Sequence, residues 1–444
     1  MHVVIFFFLA ALYTAVVAVD VEDALGVKPE TVGLSSKRLM NIDTLIDRHI
    51  EEKKIAGSVV LVARHGKIAY FKASGLADTE KPMEKDTIMR VVSLSKPITS
   101  VAAMILYEQG KLRLSDPVSK YIPEFKDQKV LVPLPTGSAN PYMLVPVKRE
   151  VTIRDLLAHT SGMLYLSSLG YFPEEEGRRL LVHLYKEAQI CDGYCRPDEE
   201  MGTMVKRLGK LPLFEQPGEV WEYGLNNEVL AYVIEVVSGM KFDKFVETNI
   251  FKPLKMKDSY FYLPQEKMNR LSAVWKSDWK GSLERTGNEP ILLNGIPFLC
   301  PADAYSTSGK YLSGGGGVLS TAYDYFRFLQ MLLNGGELDG VRVLSRKTVE
   351  LMTATNHIGK FDDTFIHDHG WKFGLGFAIQ QDRSHDIDGG DVGVFDWAGL
   401  YITLFSVNPK EETITIFFSQ TTPFGPHYNL WDTLLVLSGS AIAD

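Results

Sequence analysis

The chain has 444 residues, 45% of them apolar and 23% charged, with 47 basic and 55 acidic side chains giving a formal net charge of −8. That composition supports sizeable packed cores and excludes a wholly disordered or fibrous chain. Lys and Arg form no block, so there is no clustered basic surface to neutralise nucleic acid or anionic lipid.

Val3 to Val19 is an uncharged, largely apolar run of 17 residues that Asp20 ends, slightly short of the about 20 a spanning helix needs. Val16 and Ala18 fit the small-residue site before a signal-peptidase cut. We therefore expect residues 1–18 to be a signal peptide and the protein to be secreted or periplasmic; the alternative is an N-terminal membrane anchor. Residues 19–32 read as a lead-in. Of the three cysteines, Cys191 and Cys195 are close enough in sequence for pairing to stay open, with Cys300 left over. Two neighbouring thiols are too few for a structural zinc site.

From Ser35 to Glu52, the apolar residues Leu39, Ile42, Leu45, Ile46 and Ile50 recur at helical spacing. Residues 58–74 then read as two strands around a turn at His65-Gly66-Lys67. A helix is predicted over Val91–Gln109, stopped by Gly110. Residues 111–310 hold most of the prolines and read as broken helices and long loops, with one clear helix at Asn227–Ser238 closed by Gly239. After Gly314–Gly317 comes an amphipathic helix in TAYDYFRFLQMLLNGG. Trp371–Gln380, Leu400–Val407 and Thr413–Ser419 are rich in β-branched and aromatic residues and read as strands; Tyr428–Leu437 reads as a closing helix. The β-rich ends can share one antiparallel sheet. The expected class is α+β, one sheet flanked by helices with an inserted, mostly helical lobe. Its bounds are about 33–110 and 311–440 for the α/β lobe and about 111–310 for the helical lobe, within one catalytic unit over 33–440.

Three places carry candidate chemistry. Ser93-Leu94-Ser95-Lys96 lies at a helix start, because Pro97 is tolerated in a first turn, and residues three apart share a helix face. An amine beside a hydroxyl lowers the cost of alkoxide, and a buried lysine can lose its charge and take the proton itself; alone, the same spacing fits a capping serine and a solvated lysine. Tyr223, just before a helix, is either a proton carrier in a cleft or a core aromatic. Trp397-Ala398-Gly399-Leu400 leads into a strand, where glycine permits close backbone approach and an edge N–H can face an oxyanion; the alternative is a plain turn.

In order, Ser-x-x-Lys at 93–96, Pro-Gly-x-x-Trp-x-Tyr at 217–223, the Gly-rich turn plus helix at 313–333 and Trp-x-Gly at 397–399 resemble the serine β-lactamase-like family. That family includes class C β-lactamases, D-alanyl peptidases and family VIII carboxylesterases. Residues 110–125, 151–163 and 313–336 also look like it, and the resemblance spans roughly residues 33–440. It implies Ser93 as acylated nucleophile, Lys96 as activating amine and Tyr223 as proton relay, with the backbone N–H groups of Ser93 and Leu400 as oxyanion hole. Two departures bear on substrate. Trp397-Ala398-Gly399 replaces the Lys-Thr-Gly that clamps a substrate carboxylate, and Tyr223-Gly224-Leu225 replaces Tyr-x-Asn. Both favour a neutral ester over a penicillin, and Trp-x-Gly is the form seen in the carboxylesterase branch. Trp397, Ala398, Gly399 and Leu225 are accordingly expected to contact substrate.

Other features read as structural. His159 suits a helix end. His367, His369, Asp362, Asp363 and Asp368 lack a frame that would converge three ligands, and Asp386–Asp391 puts Trp397 where a calcium loop needs a bidentate Glu. Gly314–Gly317 lacks the Lys-Ser/Thr of a phosphate loop, and no Gly-x-Ser-x-Gly elbow occurs. The expectation is a serine hydrolase that cleaves carboxylic esters of small-molecule substrates, with no metal and no cofactor. Acyltransfer from the same acyl-enzyme, β-lactamase or D-amino-acid peptidase activity, and a non-catalytic binding protein are the alternatives.

Overall fold

In the computed structural model, the described residues are 26–170, 172, 174–193, 198–287, 291–293, 296–299, 309–359, 370–382, 390–423 and 428–444. The N-terminal apolar run, Cys195 and Cys300, the histidines and acids of 362–369, and most of 386–391 lie outside them.

One eight-stranded antiparallel sheet joins the two ends of the chain. Its strands are β1 (Gly57–Arg64), β2 (Lys67–Asp78), β3 (Lys81–Pro82), β4 (Trp371–Phe373), β5 (Ala378–Gln380), β6 (Phe395–Gly399), β7 (Thr403–Asn408) and β8 (Thr413–Ser419). Their order is β4-β5-β6-β7-β8-β1-β2-β3, so the closure between chain ends is the β8–β1 pair, Ser58 opposite Ser419 through Arg64 opposite Thr413. His65 and Gly66 both have positive φ, +53° and +75°, which matches the twist of a two-residue hairpin between β1 and β2.

Strand β1 is buried at all eight positions, because helices cover both faces of the sheet. On one face Val60 and Val62 pack with Leu404 and Phe417 under α1 (Ser36–Glu51) and α10 (Tyr428–Ser440). On the other, Val59, Leu61 and Ala63 meet α2 (Ser95–Glu108) and α8 (Ala322–Leu333). Helix α2 is buried from Ser95 through Leu106, its polar Ser95, Lys96, Thr99 and Ser100 included, as befits a helix sandwiched between sheet and lobe. The lobe supplies α3 (Ile153–Ala158), α4 (Glu176–Glu187), α5 (Met201–Gly209), α6 (Asn226–Ser238) and α7 (Phe242–Val246), and α9 (Arg346–Thr353) follows α8.

Several boundaries differ from the sequence reading. Trp371–Gln380 is not one strand but the hairpin β4–β5, turned through Gly374 and Gly376, the latter at φ +95°. The stretch beginning at Leu400 starts instead with a turn: β6 ends at Gly399, Ile402 takes φ +61°, and β7 begins at Thr403. Their β-branched and aromatic content marks both stretches as extended but carries no signal for where the chain reverses.

Candidate active site

The helix predicted over Val91–Gln109 is two pieces, a 3₁₀ turn at Val92–Leu94 and then α2. Val92 adopts φ +52°, a conformation that costs a β-branched residue free energy and that tends to persist at functional turns. Ser93 follows it and is half-buried. Lys96, in the first turn of α2, is 2% exposed. Its Nζ donates to Ser93 Oγ at 3.0 Å and to the Gly315 carbonyl at 2.7 Å. Burial pushes the amine down to about 7, against the opposing influence of Glu228 and then Asp192. A large fraction of Lys96 is therefore neutral near pH 7 and able to accept a proton.

Gly315 belongs to the Gly314–Gly317 run, which packs tightly and walls the cleft. The run is stapled to the Ser93 turn and α2: Val91 N–H donates to Val318 O (3.1 Å), Val318 N–H to Ser95 Oγ (2.9 Å) and Thr99 Oγ1 to Gly314 O (2.7 Å). A Cβ on Gly315 would stand 2.7 Å from Glu228 Oε1, 3.0 Å from the Tyr165 hydroxyl and 3.6 Å from Lys96 Nζ, so only glycine fits there.

Tyr223 reaches the same place from the lobe. Two loops lock together beneath it: Glu222 N–H donates to His159 O at 2.8 Å and Gly218 N–H to Thr160 O at 2.7 Å. A Cβ on Gly224 would stand 2.0 Å from Met163 O, so glycine lets the Tyr223 segment lie flat on that backbone. The Tyr223 ring packs against His159, Tyr165 and Trp397 with centroids 4.9, 5.4 and 5.5 Å away. Lys96 Nζ lies 4.7 Å from the Tyr223 centroid, so the ammonium form is held over a π face. The three residues singled out in the sequence, Ser93, Lys96 and Tyr223, thus converge.

His159 is 1% exposed and closes α3 in a left-handed conformation. The Asn226 side-chain amide meets its Nδ1 at 2.9 Å. Burial, and then the Lys96 charge, hold it well below the ordinary histidine range. It is a neutral structural histidine supporting Tyr223.

Strand β6 and the turn after it supply the third wall. Gly399 is required by contact: a Cβ there would stand 2.1 Å from Thr403 Oγ1 and 2.5 Å from Val91 O. Thr403 Oγ1 donates to that same Val91 carbonyl at 2.9 Å, which ties the β6–β7 turn to the residues preceding Ser93. Ala398 and Leu400 keep partial exposure beside it. Two expected substrate contacts need correction. Leu225 is 0% exposed, because it precedes α6 and faces the core. Trp397 is 2% exposed, its ring edge-on to Phe373 at 5.1 Å and tilted against Tyr223. These two residues shape the site from behind and offer a substrate almost no surface.

The sequence reading missed the acids behind Lys96. Glu228 and Asp192 are buried, at 0% and 4% exposure. Glu228 Oε1 accepts from Ser313 Oγ at 2.7 Å and from Gly315 N–H at 2.9 Å; Asp192 accepts from the N–H groups of Leu166 (2.6 Å) and Ser167 (2.8 Å). Burial raises both carboxyls above their ordinary range. In sequence, Glu228 carries only the ordinary signal of an acid in a helix first turn.

A sequence model of the Beta-lactamase family matches residues 42–438. The chain belongs to the Beta-lactamase family. Within it, Esterase EstB of Burkholderia gladioli is 30% identical over 387 residues, covering 85% of this chain and 89% of the relative. The solved structure of EstCE1, a hydrolase with promiscuous acyltransferase activity, is similar with a TM-score of 0.76 at 26% identity, over 92% of this chain and 99% of its own. Simvastatin synthase LovD of Aspergillus terreus shares the fold, with a TM-score of 0.72 at 21% identity over 91% of this chain and 98% of its own. The protein is an enzyme of the serine hydrolase type in a family with esterase and acyltransferase relatives. Among the described residues no cluster of His, Cys, Asp and Glu suits a metal ion, and no helix is long and apolar enough to cross a membrane.

Proposed function

We propose that this protein cleaves carboxylic esters through an acyl-Ser93 intermediate, with Lys96 and Tyr223 moving the protons. The observation that carries this reading is the 3.0 Å contact of the buried Lys96 amine, whose pKa burial lowers, with Ser93 Oγ. Ser93 Oγ attacks the ester carbon while its proton passes to Lys96 Nζ. The C–O bond of the ester then breaks, and the departing alkoxide takes a proton relayed from Lys96 through Tyr223. Water attacks the acyl-serine by the reverse path. The Ser93 N–H, on a helical turn, and the Leu400 N–H, beside Gly399, are the donors we assign to the developing oxyanion. Where a β-lactamase keeps Lys-Thr-Gly this chain has Trp397-Ala398-Gly399, so no cation there awaits a carboxylate, and the acyl donor is a neutral ester. Intact mass after brief incubation with p-nitrophenyl butyrate should show one added butyryl group, located after digestion on the peptide holding Ser93. A butyryl group on any other residue would remove Ser93 from this role.

A second reading, transfer of the acyl group to an alcohol, is favoured by the EstCE1 likeness. Supplying short alcohols and measuring the ratio of new ester to free acid decides between them.

Two substitutions follow. Tyr223→Phe keeps the ring that packs on His159 and Trp397 and removes only the proton carrier. It should lower kcat by about 10²- to 10⁴-fold with little change in KM, read by steady-state p-nitrophenyl butyrate kinetics. Gly315→Ala pushes a methyl group against Glu228 and displaces the carbonyl that holds Lys96. A displacement near 1 Å costs roughly 10² in rate, so kcat should drop by about that factor while circular dichroism stays that of the wild type.

A further inference from the structure

Lys96 spends two of its donors on neutral oxygens, Ser93 Oγ and the Gly315 carbonyl. The Gly315 peptide is therefore a lever. Its C=O receives Lys96 from the front, while its N–H donates to Glu228 Oε1 behind it at 2.9 Å. Ser313 Oγ donates to the same carboxylate oxygen and accepts from Gly316 N–H at 3.0 Å, so one carboxylate holds Ser313 and Gly315 directly and Gly316 through Ser313. Glu228 reaches this point from α6, whose N-terminus is anchored by Asn226 to His159 and Ser161, the same anchor that sets Tyr223. No room is left over: a Cβ on Gly193 would stand 2.6 Å from Glu228 Oε1 and 2.9 Å from Ser313 Oγ.

We propose that Glu228 is a positioning residue for Lys96, holding the Gly315 peptide from behind so that the amine points at Ser93 Oγ, and serving as its buried counter-charge. This rests on the reading of Lys96 as the base. The groups around the pair are Asp192, whose charge also acts on Lys96, the Tyr311 phenol facing Glu228, the Tyr165 hydroxyl at Gly315, Tyr223 under the amine, and neutral His159. A solvated, dipole-balancing glutamate in a helix first turn would make none of these contacts. The burial of Glu228 is instead tolerated because a cation stands nearby and two donors satisfy one oxygen.

Glu228→Gln separates the parts of the idea, because the amide oxygen still accepts from Ser313 and Gly315 while the negative charge is gone. An anion near an ammonium favours its charged form, so removing it lets Lys96 lose its proton more readily. The acidic limb of the kcat/KM profile for p-nitrophenyl butyrate should then move to lower pH by about one unit. Glu228→Asp keeps the charge but draws it back from Gly315. It should leave the limb near the wild-type position and lower kcat about tenfold or more through misplacement. A Gln variant with the wild-type limb would overturn the counter-charge, and an Asp variant with full kcat would overturn the positioning. Should the Gln variant fail to fold, the Asp variant alone reads the positioning half. A Ser93→Ala variant run alongside tells the two levels apart: if it retains turnover, the underlying reading fails. If it is inactive and Glu228→Gln keeps the wild-type limb, only the Glu228 proposal fails.

Discussion

Ser93→Ala is expected to lower kcat for p-nitrophenyl butyrate by roughly 10⁵- to 10⁶-fold, leaving only the rate that binding and oxyanion donors give. The size follows from the chemistry: without the hydroxyl there is no acyl-enzyme, and the reaction falls back on direct attack by water. The fold should not contribute. Ser93 is half-buried, and its removal costs Lys96 one of two hydrogen bonds while the Gly315 carbonyl keeps the other. A single such loss is worth about 1 kcal/mol, somewhat more for a charged donor, so thermal melting should shift by only a few degrees. Intact mass should show no acyl adduct. Turnover within tenfold of wild type, in protein shown free of contaminating esterase, would place the nucleophile elsewhere.

The pieces of this site differ in how plainly the sequence exposes them, for physical reasons. Ser93 and Lys96 are three apart at a helix start, and helical geometry alone puts them on one face; the 3.0 Å contact is nearly local information. Tyr223 is 127 residues from Lys96 along the chain, so its convergence is tertiary, and only the accompanying motif signalled it. The glycines at 315 and 399 mark close approach, but which atoms approach is invisible until Glu228 and Val91 are seen against them. Glu228 was illegible because a first-turn glutamate ordinarily faces water; Ser313, 85 residues on, turns it into a buried anchor. Trp397 and Leu225 were misread in the opposite direction: a motif position says that a side chain matters, and the packing of Phe373 and α6 decides which way it points. For the fold, β-rich chain ends predicted a shared sheet correctly. The aromatic and β-branched content that marked Trp371–Gln380 and Leu400–Val407 as extended could not reveal where the chain turns back, nor that Phe395–Gly399 is itself a strand.

Lys96→Met is expected to lower kcat by about 10³- to 10⁴-fold and to change the response to pH. Methionine is close in volume and unbranched, so it fills the space that a fully buried lysine leaves and opens little cavity. What is lost is the proton acceptor. In the wild type the amine is neutral only above its pKa, which burial places at about 7, so kcat/KM should rise with pH through about 7 and level off above it. The Met variant should show no such limb. Stability should move the other way. The folded pKa of Lys96 lies below its unfolded value of about 10.4, so the unfolded chain binds more protons between those two values, and wild-type stability rises with pH across that window. Below pH 7 the native state carries the whole cost of keeping an ammonium buried. The Met variant should therefore melt at or above the wild-type temperature at pH 6, with its advantage shrinking toward pH 10. A variant that keeps the wild-type limb would show that another group titrates there and that Lys96 is not the base.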